Sequence, residues 1–248
     1  GFEININLVR NSISILLFVN AIVFIEKKQF LPFLLVCLFG FTFHSSSLAY
    51  IPMYFIINRK FNKYIMMAIF VVANVIYLFH IPILKSLILL VADYIMPSTK
   101  LWVEAYLSMD LSTGSVLSIG YLERLLTGIL LFCYIDKLRK IHNGNNIFVN
   151  SMLFYLCTFL FLSEFRTISL RCSYLFIYAY WIVWIDLIKC FTFRNNKILY
   201  LSFVALYSLL KVYFLNNNAM SEYYNITMEN KPYNERLIHF RQHFNDVK

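Results

Sequence analysis

Residues 29–57 have the sequence QFLPFLLVCLFGFTFHSSSLAYIPMYFII, an apolar run broken by polar side chains only near its middle. As one helix this run would reach about 44 Å, which is longer than the roughly 30 Å of hydrocarbon in a bilayer. The break falls at Phe43-His44-Ser45-Ser46-Ser47, where serine hydroxyls can bond freed backbone groups. We therefore predict two short helices that form a hairpin.

Basic residues on both sides of this run support the hairpin, because short loops rich in Lys and Arg stay in the cytoplasm. A hairpin places Lys27 and Lys28 on the same side as Arg59, Lys60 and Lys63, and a single helix would separate them. Continuing the same topology gives four cytoplasmic loops, which contain Lys27/Lys28, Arg59/Lys60/Lys63, Lys137/Arg139/Lys140 and Lys189/Arg194/Lys197. These loops hold eleven of the 22 basic residues against three acids, a net of +8, while the outer segments have a net of +1.

The composition indicates a membrane protein over most of the chain. Hydrophobic residues make up 60% and charged residues 14% of the 248 positions, more apolar surface than one soluble core could hide. Six further membrane spans are predicted, at residues 8–25, 64–82, 119–135, 147–163, 172–188 and 198–215. Because the chain begins at Gly1 and enters a span almost at once, we expect a fragment or a processed chain.

The predicted fold is an all-α integral membrane protein, a polytopic bundle of about eight segments that includes the hairpin. The membrane domain covers residues 1–215, with an outer loop at 83–118 in which Trp102 and Tyr106 would anchor an interfacial segment. Residues 216–248 are predicted to be a polar extracytoplasmic tail.

Several classes of ligand find no support in the sequence. The five cysteines stand singly in or beside apolar stretches, without a CxxC pair, and are interpreted as buried hydrophobes. We predict no metal and no cofactor. The excess of basic over acidic residues is explained by the predicted cytoplasmic loops, and no nucleic-acid-binding pattern is visible.

Ionisable residues inside apolar runs are the candidate functional residues, because each costs roughly 2.5 to 3.5 kcal/mol near the bilayer centre. Under the predicted topology they collect at the outer ends of helices: Arg10, His44, Glu123, Arg124, Glu164, Arg166 and Arg171. Each has a structural alternative: snorkelling for Arg10, a hydrogen-bonded turn for His44, the helix dipole for Glu123 and an internal ion pair between Glu164 and Arg171. His80, at the outer boundary, is interpreted as mainly structural.

Short motifs in this chain resemble the EpsG or Wzy-like polymerases of bacterial exopolysaccharide, capsule and O-antigen synthesis. Asn7-Leu8-Val9-Arg10 opens a span, Glu26-Lys27-Lys28 follows, and residues 41–48, FTFHSSSL, are similar to the family's FHxSAL segment. Residues 166–176, RTISLRCSYLF, resemble the family's arginine followed by an aromatic-rich helix. Family members usually carry an earlier aspartate and tyrosine motif, which this chain lacks.

The resemblance implies a GT-C-like glycosyltransferase of the bacterial cytoplasmic membrane that joins undecaprenyl-diphosphate-linked repeat units at the outer face. It also implies a flippase and a chain-length regulator as partners, and no nucleotide sugar or metal. We expect Arg10, Arg166, Arg171 and Arg124 to bind the diphosphate. His44 would accept the proton of the acceptor hydroxyl, with Glu164 or Glu123 as the alternative base. A flippase or transporter of lipid-linked glycans, or a membrane acyltransferase, stays open as an alternative.

Overall fold

The computed structural model describes residues 9–83, 85–86, 88, 117–142 and 144–216, with single positions at 235, 238 and 242. Within these ranges the side chains of Val9, Arg166, Thr167 and residues 214–216 are not described. Most of the predicted outer loop 83–118 and of the predicted tail 216–248 therefore lies outside the described residues. The chain divides into two compact units, residues 1–190 and 191–248.

The regular elements in these described ranges are helices, which confirms the all-α prediction. They are α1 Val9–Glu26, α2 Phe30–Phe41, a 3-10 helix Ser45–Tyr50, α3 Met53–Ile56, α4 Lys63–Leu78, α5 Ile119–Ile141, α6 Asn145–Phe161, α7 Arg166–Tyr174, α8 Tyr178–Cys190 and, in the second unit, α9 Arg194–Asn216. Side-chain caps begin two of the α-helices: Asn62 accepts from the Tyr64 N–H at α4, and Ser118 accepts from the Tyr121 N–H at α5.

The hairpin breaks where the sequence predicts, but its second arm is not one helix. After α2 the chain forms the 3-10 helix and then the four-residue α3, with Pro52 between them. Proline has no N–H to donate to the carbonyl of Leu48, which instead accepts from Ile51 N at 3.1 Å. The prediction of one helix for the second arm is therefore wrong, because Pro52 divides this arm into two short helices.

Both ends of this hairpin reach the N-terminal part of α6. The Glu26 carboxylate, which precedes the hairpin, lies against Gly144. The Asn150 side chain donates to the carbonyls of Ile57 and Arg59, which follow the hairpin, at 2.7 Å each. The chain therefore enters and leaves the hairpin at the same end of the first unit.

The predicted span 172–188 crosses a break between two helices. α7 ends at Tyr174 and α8 begins at Tyr178. At the break the Leu175 carbonyl accepts from the Tyr50 hydroxyl at 2.7 Å, and Ala179 N donates instead to Phe176 O at 3.1 Å. The single straight helix of the prediction is corrected to a bent pair because this carbonyl is bonded from outside the helix.

A single helix that crosses a membrane has to be both long and apolar. Among the described residues no single helix meets both requirements, and Ile168–Tyr174 with Tyr178–Cys190 meet them only as a pair bent by 60°. Phe30–Phe41, Lys63–Leu78 and Asn145–Phe161 are apolar helices of shorter length. The number of membrane segments stays a prediction.

Polar side chains lie inside the first unit while large apolar side chains face outward. Asn11, Ser14, Asn74, Asn150 and Asp186 are buried. On α4 the exposed large side chains are Tyr64, Ile65, Met67, Ile69, Val71, Val72, Val75 and Leu78. The rest of the core is apolar, as in a soluble domain, but the apolar face that α4 exposes is typical of helices that pack against one another within lipid.

Candidate functional site

His44 begins the 3-10 helix and is held by two bonds within its own turn. Its Nδ1 atom accepts from the backbone N–H of Ser46 at 3.1 Å and lies 2.7 Å from the Ser46 hydroxyl. The same hydroxyl donates to Asn11 Oδ1 at 2.7 Å. The His44 turn is therefore fixed to the first turn of α1, and we name Asn11, Ser46 and His44 the His44 network.

Arg10 precedes Asn11 in that first turn of α1, and its side chain is exposed. The structure thus brings two of the predicted site residues, Arg10 and His44, to the same end of α1. No hydrogen bond or ion pair joins the two side chains within the described part of the chain. Arg10 is available to bind an anion at this end of α1, where the His44 ring is half-buried.

Glu123 lies inside the bundle, with 5% of its surface exposed. One carboxylate oxygen accepts from the Thr127 hydroxyl at 2.8 Å, and the other accepts from the Tyr180 hydroxyl at 3.4 Å. These partners lie on α5 and α8. Glu123 therefore joins two helices, and both of its oxygens are engaged.

Arg124 also makes its contacts inside the bundle. It donates to Gly120 O at 2.8 Å and to the Tyr155 hydroxyl at 3.1 Å, and its guanidinium carbon lies 3.8 Å from the centre of the Phe159 ring. Its Nε atom is buried without a described partner. The stacking and the two hydrogen bonds favour a role in joining α5 to α6.

Glu164 lies in the turn before α7 and not on its face. Its Oε2 atom accepts from Lys85 N at 3.0 Å, and Oε1 is buried with no hydrogen-bond partner in the described residues. The alternative of an ion pair between Glu164 and Arg171 is not observed between these two described side chains. The reason is that α7 begins only at Arg166, so the two residues do not share a helical face, and Arg171 is exposed.

The structure therefore forms local groups from the predicted residues. Glu123 and Arg124 lie with tyrosines of α8 and α6, and Glu164 lies with Lys85. Arg10 and His44 share only the same end of α1. Within the described residues no hydrogen bond or ion pair links Arg171 to these groups, and the side chain of Arg166 is not described. Convergence of all seven residues on one cavity stays a prediction.

Sequence reasoning missed Asn11, Ser46 and the tyrosines that bind the charged residues. Asn11 and Ser14 are polar residues in a mostly apolar helix, and this pattern could have indicated that they bond inside the bundle. The pairing of Asn11 with Ser46 could not be predicted from the sequence, since the two residues are 35 positions apart.

The opposite end of the first unit carries the first three predicted cytoplasmic loops and Lys189 of the fourth. Lys63 of the second loop pairs with Asp136 of the third, and this hydrogen bond lowers the pKa of Asp136 and raises the pKa of Lys63. Buried Asp186 accepts from Lys189 at 2.8 Å and lies 3.4 Å from His142. An apolar cavity of about 220 Å³ between α4 and α6 also lies here, lined by Phe61, Ile65, Met66, Leu153 and Phe154 among others. None of the predicted site residues lines it.

The helical bundle, with large apolar side chains on its exterior, belongs to the class of multi-helix membrane proteins. The family model described as the EpsG family matches residues 1–234 of the 248-residue chain. The chain belongs to the EpsG family, which confirms the resemblance found in its motifs, and it is a membrane protein of the polysaccharide polymerase type. No curated protein and no solved structure matches the chain significantly.

Proposed function

We propose that this protein joins undecaprenyl-diphosphate-linked oligosaccharide repeats at the outer face of a bacterial cytoplasmic membrane. The observation that carries the proposal is that Arg10 and His44 lie at the same end of α1, at the end of the first unit opposite the lysine-rich loops. Under the positive-inside rule that end faces outward. Membership of the EpsG family supports the reaction class.

The reaction forms one bond and breaks one bond at the anomeric carbon of the donor sugar. The oxygen of the acceptor hydroxyl attacks that carbon, and the bond to the diphosphate oxygen breaks. The diphosphate leaves on its lipid with the electron pair, and the hydroxyl proton passes to a protein base. Arg10, Arg166 and Arg171 would stabilise the charge that develops on the leaving group. Arg124 could also bind the diphosphate only if it gave up its hydrogen bond to the Tyr155 hydroxyl.

Glu164 is the proposed base. Glu123 has both oxygens engaged by hydroxyl donors, whereas Glu164 keeps one oxygen without a described partner. A carboxylate oxygen with a free lone pair can accept the hydroxyl proton when the substrate reaches it. His44, the third candidate, has its Nδ1 atom already engaged.

A flippase or transporter of lipid-linked glycans is the second candidate, favoured by the bend between α7 and α8. Transporters often bind substrates at broken helices, and the sequence had predicted no such break. In this chain the Leu175 carbonyl at the bend already accepts a hydrogen bond from the Tyr50 hydroxyl, so it is not available to a substrate. The bend is therefore explained by packing, and the polymerase proposal is preferred.

The proposal is tested by incubating the purified full chain in detergent with undecaprenyl-diphosphate-linked oligosaccharide. We expect a ladder of polymer, and we expect Arg171→Ala to reduce the rate by about 100-fold because an anion donor is lost. Arg59→Ala is the matched control, since it removes an exposed arginine at the opposite end. Lipid movement without a ladder would support the transporter, and an acylated sugar would support an acyltransferase; both contradict the proposal.

A further inference from the structure

The apolar cavity between α4 and α6 lies at the end of the first unit that carries the basic loops. Its volume is about 220 Å³, and its largest wall residues are Phe61, Ile65, Met66, Ile69, Leu153 and Phe154. The wall follows α4 from Asn62 to Ile69, a length of about 10 Å. The cavity therefore extends from the loop end toward the middle of the bundle.

The wall of this cavity changes from polar to apolar along its length. Two amide side chains lie toward the loop end, where Asn62 caps α4 and Asn150 donates to two carbonyls of the preceding turn. Deeper along both helices the wall consists of Ile, Leu, Phe, Met and Cys side chains. Apolar cavities of roughly 150 Å³ stay dry and take up small hydrocarbons. Hydrocarbon, and not water, is therefore the expected occupant of the deeper part.

The cavity is accessible from the apolar exterior of α4. Ile65 and Ile69 line it, and both are also among the exposed side chains of this helix. In a membrane protein an exposed apolar helix face contacts lipid. A hydrocarbon chain can therefore enter the cavity directly from the bilayer, without crossing water.

Three cations act on one carboxylate at the same end of the unit. Lys63 forms an ion pair with Asp136, and this hydrogen bond is the main reason why the pKa of the Asp136 carboxyl is lowered. The charges of Arg139 and Lys60 lower the same pKa further, so both lie close to this carboxylate. We name Lys60, Lys63, Asp136 and Arg139 the Asp136 cluster. With three cations and one acid it attracts anions.

Arg139 connects the Asp136 cluster with the cavity. Its Nη2 atom donates to the Met66 sulfur at 3.2 Å, and Met66 also lines the cavity. A thioether is a weak acceptor, and no carboxylate forms an ion pair with Arg139 in the part of the chain that the structure describes. The guanidinium group therefore keeps donors that suit the oxygens of a phosphate.

We propose that this end of the protein binds one anionic phospholipid from the leaflet next to the basic loops. One acyl chain occupies the cavity between α4 and α6, and the phosphate lies against Arg139 and Lys60. Anionic lipids are attracted to Lys and Arg at the membrane surface by about fivefold in affinity per residue. The lipid-linked substrate is not the occupant, because its diphosphate would be bound at the opposite end of the unit. The proposal does not depend on the polymerase function.

Mass spectrometry of the intact complex tests this binding on the purified full chain in a nonionic detergent. We expect one phosphatidylglycerol per chain, held at least about 10-fold more tightly than phosphatidylcholine with the same acyl chains, because only the first carries a net charge. Glycerol 3-phosphate, which has no chain, should not displace it. Equal binding of the two phospholipids, or displacement by glycerol 3-phosphate, would overturn the proposal. Displacement by a lower concentration of undecaprenyl diphosphate would assign the cavity to the substrate and would overturn it too.

The phosphate contact is tested by comparing two cations on opposite faces of α5. Arg139→Gln removes the charge that lies against Met66. Lys137→Gln is the matched control, since Lys137 donates to Cys190 O on α8 and the glutamine amide can still do so. We expect Arg139→Gln to weaken phosphatidylglycerol binding by about 10-fold and Lys137→Gln by less than about 2-fold. Equal losses would show a response to overall charge and would contradict a specific site.

The position of the acyl chain is tested by two tryptophan substitutions on α4. Ile69 and Val71 are both exposed, but only Ile69 lines the cavity. We expect Ile69→Trp to weaken phosphatidylglycerol binding by about 10-fold, because the indole takes the place of about two buried methylenes, and Val71→Trp to leave it unchanged. Melting temperatures in lipid-free detergent should match the wild type, which shows that both variants fold. Unchanged binding in Ile69→Trp would place the chain outside the cavity and would overturn the proposal.

Discussion

At the residue scale, His80 and Lys28 have positive φ angles of 49° and 57°. Each lies two positions beyond the end of a helix, α4 for His80 and α1 for Lys28. After α4 the N–H of Ile81 donates to Ile76 O at 3.1 Å, and after α1 the N–H of Gln29 donates to Phe24 O at 2.8 Å. This is the pattern of a helix end that favours glycine. His80 therefore ends α4 in the left-handed backbone conformation, as Lys28 ends α1.

We predict that His80→Gly raises the free energy of unfolding by about 1 kcal/mol, because glycine adopts the left-handed conformation without steric cost. Polymer formation should be unchanged. The measurement is chemical unfolding in mixed micelles, and Lys28→Gly should change stability in the same direction. A loss of activity in His80→Gly with normal stability would show that the His80 ring itself is needed.

Tyr50 connects two parts of the chain that are 125 residues apart. Its ring is fully buried and stacks on Phe18 with ring centres 3.9 Å apart. Its hydroxyl bonds the Leu175 carbonyl at the bend between α7 and α8. The side chain thus fills the core and satisfies a free backbone group.

We predict that Tyr50→Phe lowers the free energy of unfolding by about 1 to 2 kcal/mol, because the ring is kept and a buried carbonyl loses its donor. Tyr54→Phe is the control, since no hydrogen bond of its hydroxyl is found among the described residues. Thermal unfolding in detergent measures both. Equal melting temperatures for the two variants would mean that the Leu175 carbonyl finds another donor.

Which residues carry unusual charge could be predicted from the sequence, because an arginine or glutamate within an apolar run is visible at once. Their partners could not be predicted. The tyrosines that bind Glu123 and Arg124 come from α8 and α6, at separations of 57 and 31 residues. Only the packing of the helices decides which hydroxyl faces which charge.

At the element scale, α4 and α5 approach closely at Gly128. A Cβ atom at this position would overlap the ring of Phe70, which is itself buried. The close contact of a small residue with a large one lets the two helices pack side by side. Gly128 is therefore a packing position despite the low helix propensity of glycine.

We predict that Gly128→Ala destabilises the protein by about 1 to 3 kcal/mol, because the stiff Phe70 ring must shift. Gly144→Ala is the matched control: its Cβ would meet only the Glu26 carboxylate, which is exposed and can move aside. Unfolding in mixed micelles compares the two. Similar stability in both variants would show that α4 and α5 adjust without cost.

The elements themselves were partly predictable. The break of the run 29–57 was visible because His44 and three serines interrupt apolar sequence. The bend at residues 175–177 was not visible, since Leu175, Phe176 and Ile177 are as apolar as their neighbours and the cause of the bend is Tyr50. Tertiary contacts decide where an apolar run stays helical.

At the scale of the whole molecule, the basic loops and the His44 network lie at opposite ends of the first unit. Lys63 meets Asp136 at one end, and Ser46 meets Asn11 at the other. The positive-inside rule predicted from charge alone which loops share an end, because loop charge is a property of sequence. The contacts made at each end were not predicted. The central claim is that the end with the His44 network faces the exterior and the end with the basic loops faces the cytoplasm. A polymerase that acts on a substrate at the outer face needs His44 outside.

Cysteine accessibility tests this claim most directly. In chains whose native cysteines are replaced, single cysteines are placed at the exposed positions Ser45, Arg171 and Lys60, and intact cells are treated with a membrane-impermeant maleimide. We predict that Ser45→Cys and Arg171→Cys are labelled in intact cells and that Lys60→Cys is labelled only after permeabilisation. Labelling of positions 45 and 171 from opposite sides, or of position 60 from outside, would contradict the account.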